Sequence, residues 1–276
     1  MSILISPGEL AATLDDPTTR PVLLDVRWSL AEPDGRPAYL AGHLPGAVFV
    51  DLDHQLAGPP GPAEGRHPLP EPELLQQAAR EWGIDDDSAV VVYDDSGNLA
   101  AARAWWLLRH AGLADVRLLD GGLRSWTDAG LPTETGEVVS KPGSVTLRYG
   151  ALPTTDLDRV TEYARQGRLL DVRAAERFRG EVEPIDPRAG HIPGARNAPT
   201  TENLGPDQRF LDPAALRARY AELGLPDGAE VAVYCGSGVT AAHAAAALTV
   251  AGYRPVLFPG SFSQWSNRAD LPVETA

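Results

Sequence analysis

The sequence predicts an α/β protein made of two copies of one domain, each a parallel sheet flanked by helices on both faces. Three observations predict it. Short apolar runs alternate with stretches of helical periodicity along the chain. The same signatures recur in the same order in both halves. Leu23-Leu24-Asp25-Val26-Arg27 and Ala41-Gly42-His43-Leu44-Pro45-Gly46-Ala47 are answered by Leu169-Leu170-Asp171-Val172-Arg173 and Ala189-Gly190-His191-Ile192-Pro193-Gly194-Ala195. Finally, 276 residues with 43% hydrophobic content suffice for two ordinary cores.

The elements follow in order. Ser6-Pro7-Gly8-Glu9 joins a Ser N-cap to a Glu at the third helical position, so a helix starts there. Apolar runs at 22–26, 47–50, 89–93 and 116–119 read as strands, and 74–82 and 98–111 carry helical spacing. Gly121 and Trp126 close the first copy. The Pro-, Gly-, Thr- and Ser-rich stretch 131–153 reads as a connection, which sets the domains at 1–133 and 154–276 with a linker at 134–153. In the second copy 157–165 is helical and 169–172 is a strand, and Asp212-Pro213 opens a helix with proline at its first position. Strands at 230–234 and 255–258 flank a helix at 240–251, and Gly260 and Trp265 repeat the closing pair.

Composition narrows the function. A net charge of −14 repels phosphate backbones and anionic membranes, so neither nucleic acid nor a membrane is an expected partner. No apolar run approaches the roughly 18 residues of a spanning helix, and the start Met1-Ser2-Ile3-Leu4-Ile5 lacks the basic head of a signal peptide. A single cysteine suits a reducing compartment, and a cytoplasmic location is expected. The six histidines lack metal-ligand spacing, so no metal and no cofactor is expected.

The chemistry concentrates at Val231-Ala232-Val233-Tyr234-Cys235-Gly236-Ser237-Gly238-Val239-Thr240. A strand ends at Tyr234 and a helix begins near Thr240, so the only cysteine falls where parallel sheets bind ligands. Gly236 and Gly238 are expected to curl the backbone so that its N–H groups form an anion cradle. The helix N-terminus adds positive potential, and together these stabilise a thiolate or persulfide at Cys235.

These features resemble the tandem-domain rhodanese family of sulfurtransferases over nearly the whole chain. The resemblance rests on the paired Asp-Val-Arg strand ends, the paired Gly-His-(Leu/Ile)-Pro-Gly-Ala segments, the Cys-Gly-Ser-Gly-Val-Thr loop and Pro259-Gly260-Ser261-Phe262-Ser263-Gln264-Trp265. It implies a catalytically silent first domain, since Asp94 stands in the place of Cys235. It also implies Cys235 as the sulfur carrier, with Gly236, Ser237, Gly238, Val239 and Thr240 as the loop that holds the persulfide. The loop resembles that of 3-mercaptopyruvate sulfurtransferases, because Gly236 and Ser237 stand where thiosulfate-preferring members more often carry basic residues. Thiosulfate is the rival donor.

By the same resemblance Arg177 binds the donor's anionic group, and Arg188 is the candidate second arginine, although Glu183-Pro184-Ile185-Asp186-Pro187-Arg188 is shorter than the mercaptopyruvate-type pattern. Ser237, His67 and Asp53 match a proposed Ser-His-Asp set. The repeated His43 and His191 are expected to pack rather than react, and Asp25, Arg27, Asp171 and Arg173 to form structural ion pairs. The implied partners are a small anionic sulfur donor and a thiophilic acceptor: cyanide, a thiol or a thioredoxin-like protein. A phosphatase on this fold would need an arginine at the far end of the loop, where Ala241 stands, with none before Arg254. A persulfide carrier or binding module that does not turn over is the non-enzymatic alternative.

Overall fold

The computed structural model describes residues 2–14 and 20–275; Met1 and Ala276, the outer limits of the two expected domains, lie outside them. The chain forms two compact units that do not follow a single cut. The first comprises Met1–Gly58, Pro70–Leu152 and Gly205–Phe210, and the second Pro59–Leu69, Pro153–Leu204 and Leu211–Ala276. Each unit therefore takes in one short segment from the other half of the sequence, and the stretch expected as a linker groups with the first unit up to Leu152.

In the first unit, β1 (Leu4–Ile5) precedes α1 (Pro7–Leu14), and β2 (Val22–Asp25) leads to α2 (Arg36–Ala41) and β3 (Val48–Phe49). Helices α3 (Leu52–Gln55) and α4 (Pro72–Glu81) come before β4 (Val90–Tyr93), followed by α5 (Ala101–His110), β5 (Val116–Leu119) and α6 (Gly122–Asp128). The capping box forms as read: Glu9 N–H donates to Ser6 Oγ at 3.3 Å, and the Glu9 carboxylate accepts the Ser6 N–H at 2.9 Å. The sheet is wholly parallel, in the order β1-β5-β4-β2-β3. All four residues of the central strand β4 are buried, as a strand covered on both faces requires.

The second unit repeats the plan with α7 (Val160–Arg165), β6 (Leu169–Asp171), α8 (Ala175–Phe178) and β7 (Arg196–Asn197). A 3₁₀ turn (Thr200–Asn203) leads to α9 (Pro213–Glu222), then β8 (Glu230–Tyr234), α10 (Val239–Val250), β9 (Arg254–Leu257) and α11 (Ser261–Ser266). Its sheet runs β7-β6-β8-β9, and Thr154 bridges Leu257 in parallel where β1 sits in the first copy, so the strand order is the same. The alanines of α10 are almost fully buried, and small side chains on every face let this helix lie close against the sheet and its neighbours.

The twice-written signatures are structural nodes. Arg27 binds Asp25 and the carbonyl of Gly42, and Arg173 binds Asp171 at 2.6 Å and the carbonyl of Gly190. Tyr93 and Tyr234 accept the N–H groups of Leu44 and Ile192. His43 stacks on Tyr39 and His191 on Phe178, each ring bonding a backbone carbonyl through Nδ1. Trp126 and Trp265 each donate to a proline carbonyl, at 2.7 and 2.8 Å. Each of these aspartate, arginine, tyrosine, histidine and tryptophan side chains is buried and makes at least one hydrogen bond, which is why these residue types recur in both copies.

Candidate active site

Strand β8 ends at Tyr234, and the chain must turn into α10 within four residues, Cys235 to Gly238. Gly238, at the N-cap, does this with a φ of 83°, a conformation open to glycine but costly for other L-residues. Its N–H then faces back and donates to Cys235 Sγ at 3.1 Å. Cys235 is 2% exposed and sits at the N-terminus of a 12-residue helix, where partial positive charge favours an anion. Val239 is buried behind the loop and Thr240 half-buried. Gly236 is not left-handed, so the curl expected of both glycines belongs to Gly238 alone.

Two serines beyond β9 complete the cradle. Cys235 N–H donates to Ser261 Oγ at 3.2 Å, and Ser261 Oγ donates to the carbonyl of Phe258 at 3.0 Å. Ser261 holds a φ of 52° while fully buried, a strain of about 1–3 kcal/mol for a side-chain-bearing residue. Phe262 N–H and Ser263 N–H bond the carbonyls of Cys235 and Gly236 at 3.0 and 2.8 Å. Sequence reasoning missed Ser261; the signal was Gly260-Ser261 standing opposite Gly121-Gly122, where Gly122 has a φ of 57°.

Ser237, 5% exposed, lies 2.7 Å from His67 Nδ1 through its hydroxyl. His67 belongs to the segment Pro59–Leu69, which packs in the second unit. Asp53 lies on α3 of the first unit, so within the second unit the expected set is the Ser237–His67 pair.

Two guanidinium groups flank the loop. A Cβ at position 236 would lie 2.9 Å from Arg66 Nη2 and 3.5 Å from Arg177 Nη1. Gly236 is thus glycine for room, not for backbone freedom. Arg177 pairs with Glu183 at 2.7 Å and Asp186 at 3.4 Å, and Arg66 pairs with Asp186. Burial would raise the Glu183 carboxyl, but the Asp186 N–H and Arg177 outweigh it and hold it below its ordinary range. Burial keeps Asp186 above the ordinary range against the pull of Arg66.

Arg188 does not join them. Its guanidinium donates to the carbonyls of Trp265, Ser266, Arg268 and Leu271 at 2.7–3.1 Å, closing the C-terminal end of α11. The expectation that it grips a donor anion is corrected for that reason. Arg66 was missed because it lies in the Pro- and Gly-rich segment 59–70, 120 residues from its partner Asp186.

In the first unit the matching loop carries Asp94, fully buried. Its carboxylate accepts four backbone N–H groups, from Ser96, Asn98, Ala100 and Ala101, at 2.7–3.0 Å. Burial pushes this carboxyl up while those four donors pull it down. The same loop position thus holds a carboxylate at four N–H groups in one copy and a sulfur at the Gly238 N–H in the other. Among the described residues no three His, Cys, Asp or Glu side chains cluster as a metal site would require, and no helix is long and apolar enough to cross a membrane.

Comparison with known proteins agrees with this geometry. The rhodanese-like domain family matches residues 6–129 and 156–268. A Mycobacterium tuberculosis protein provisionally named thiosulfate sulfurtransferase SseB is 49% identical over 98% of this chain and 96% of its own. A Pseudomonas aeruginosa protein provisionally named 3-mercaptopyruvate sulfurtransferase is 46% identical over 99% of this chain and 98% of its own. The crystal structure of Escherichia coli SseA, described as a 3-mercaptopyruvate sulfotransferase, superposes with a TM-score of 0.81 at 32% identity, covering 95% of this chain and 99% of that one. The chain belongs to the tandem-domain rhodanese family of sulfurtransferases.

Proposed function

We propose that the chain moves sulfane sulfur from 3-mercaptopyruvate, through a persulfide on Cys235, to a thiophilic acceptor in the cytoplasm. The observation that carries this reading is the Gly238 N–H on Cys235 Sγ at 3.1 Å, which favours negative charge on that sulfur. The Cys235 thiolate attacks the donor's sulfur and forms an S–S bond. The donor's C–S bond breaks, its electron pair passes to carbon as the enolate of pyruvate, and a proton completes pyruvate. A thiolate acceptor then attacks the outer sulfur, takes it as its own persulfide and releases Cys235 as thiolate. Cyanide would leave as thiocyanate, and a small thiol or a thioredoxin-like protein fits the same step.

Arg177 receives the donor's carboxylate, for which a guanidinium fork is suited. Ser237, bonded to His67, donates to the donor's carbonyl oxygen as enolate charge develops there. The first unit transfers no sulfur, because the Asp94 carboxylate fills its cradle. The name of the M. tuberculosis relative favours a second reading, thiosulfate as donor with sulfite leaving.

A side-by-side measurement of kcat/KM with both donors decides between the readings. A tenfold preference, about 1.4 kcal/mol in the transition state, for 3-mercaptopyruvate is expected. Cys235→Ser should abolish transfer from both donors in folded protein, and the wild-type peptide holding Cys235 should gain one sulfur, removable by cyanide. Transfer surviving in Cys235→Ser overturns the mechanism.

A further inference from the structure

We propose that Asp186 and Glu183 determine which donor charge the cysteine site accepts: their carboxylates balance the guanidinium groups beside the loop and so favour a singly charged donor over a doubly charged one. This rests on the functional reading above, in which Arg177 receives the donor's anionic end. In the second unit the Asp171–Arg173 pair continues into a chain of alternating sign. Arg173 meets Glu183 at 3.3 Å, Glu183 meets Arg177 at 2.7 Å, Arg177 meets Asp186 at 3.4 Å, and Asp186 meets Arg66. Three carboxylates thus face three guanidinium groups, and the chain carries no net charge where it passes Gly236. The cysteine loop itself, residues 235–240, adds no charged side chain. An arriving anion therefore meets oriented N–H groups but no excess of positive charge.

That balance separates the two donors by their charge. At neutral pH 3-mercaptopyruvate brings one negative charge, its carboxylate, and thiosulfate brings two. Each carboxylate of the chain repels a donor in proportion to the donor's charge, so the dianion meets twice the repulsion. The side chains of Glu183 and Asp186 are only 4% and 1% exposed, so salt and solvent screen them little. Both keep their places. Glu183 accepts the N–H groups of Ile185 and Asp186 at 3.2 and 3.0 Å, and Asp186 is held between Arg66 and Arg177. Removing one of these negative charges helps every anionic donor and helps the dianion most. The accompanying loss of an anchor for the arginines falls on all donors alike, so the ratio between donors isolates the charge.

The test uses two donors that share their sulfur chemistry and differ in charge. Thiosulfate and methanethiosulfonate each hold a terminal sulfur on an oxidised sulfur centre, and a methyl group in the second replaces one charged oxygen of the first. The Cys235 thiolate bonds to the terminal sulfur of either. The donor's S–S bond breaks, and its electron pair leaves on sulfite or on methanesulfinate. Asp186→Asn, which keeps the shape and removes the charge, should raise kcat/KM for thiosulfate relative to methanethiosulfonate by about tenfold, the scale of one partly screened charge. The ratio of thiosulfate to 3-mercaptopyruvate should rise with it. Asp186→Glu keeps the charge and should hold both ratios within about twofold of wild type, whatever it does to overall activity. Glu183→Gln carries the same expectation as Asp186→Asn, should that variant not fold. A ratio that stays flat or falls in the folded neutral variant overturns the proposal, as does an equal rise in Asp186→Glu, which would mark shape and not charge. A wild-type protein that forms a persulfide with none of the three donors overturns the functional reading, and a wild-type preference for thiosulfate over 3-mercaptopyruvate overturns its donor assignment. Both of those results are read on the wild type alone, apart from the variants.

Discussion

Gly238 donates its backbone N–H to Cys235 Sγ at 3.1 Å, and it reaches that position only through a left-handed φ of 83°. Gly236, one residue beyond the cysteine, is glycine for a different reason, the closeness of Arg66 and Arg177.

The two glycines should therefore fail differently. Gly238→Ala meets the left-handed penalty of about 1–2 kcal/mol and turns the N–H away from sulfur, so thermal stability and the rate of persulfide formation fall together. Gly236→Ala meets only the flexible end of Arg66, so the melting midpoint should hold while KM for the anionic donor rises. Thermal melts beside donor titrations check both. Equal losses of stability would sink the distinction.

Ser237→Ala should lower kcat with 3-mercaptopyruvate by about 10²-fold, the effect of losing one donor to a developing oxyanion. Thiosulfate offers no carbonyl to polarise, so its turnover should change much less. Steady-state rates with the two donors read the difference, and parallel losses would remove the carbonyl from the role assigned to Ser237.

Arg188→Ala should destabilise the second unit by about 2–4 kcal/mol, because several carbonyls at the end of α11 lose a charged donor at once. Donor KM at a temperature where the variant is folded should match wild type. Denaturant titration and donor kinetics test the two halves of this expectation, and a raised KM would return Arg188 to the binding site.

Glu183 gives the pH prediction. Its carboxyl lies below the ordinary value of 4.5 in the folded chain, so it contributes stability that is present above that value and lost as pH falls through the folded pKa. Glu183→Gln removes this contribution. Denaturation midpoints of the two proteins should therefore differ most near neutrality and converge below about pH 4.5; a gap that widens in acid would contradict the assignment.

The duplication was legible because its signatures are buried networks whose members sit near one another in sequence, as Asp171, Arg173 and Gly190 do. The cysteine loop was legible because a strand, a glycine turn and a helix define a place at the sheet's edge. The two-residue strands Leu4–Ile5 and Arg196–Asn197 were not, since neither is long enough to carry a period. Arg188 misled because spacing gives an arginine's place in the chain, not the direction of its fork. Arg66 was invisible for the opposite reason: it stands in an aperiodic stretch, and what gives it meaning is a buried aspartate far along the sequence.

The tract Pro59–Leu69 belongs in space with the sulfur-bearing unit but is encoded in the other repeat, and Gly205–Phe210 makes the reverse journey. A deletion that discarded the first repeat would also discard Arg66 and His67. The unit that holds Cys235 is therefore complete only where residues encoded in both repeats are present.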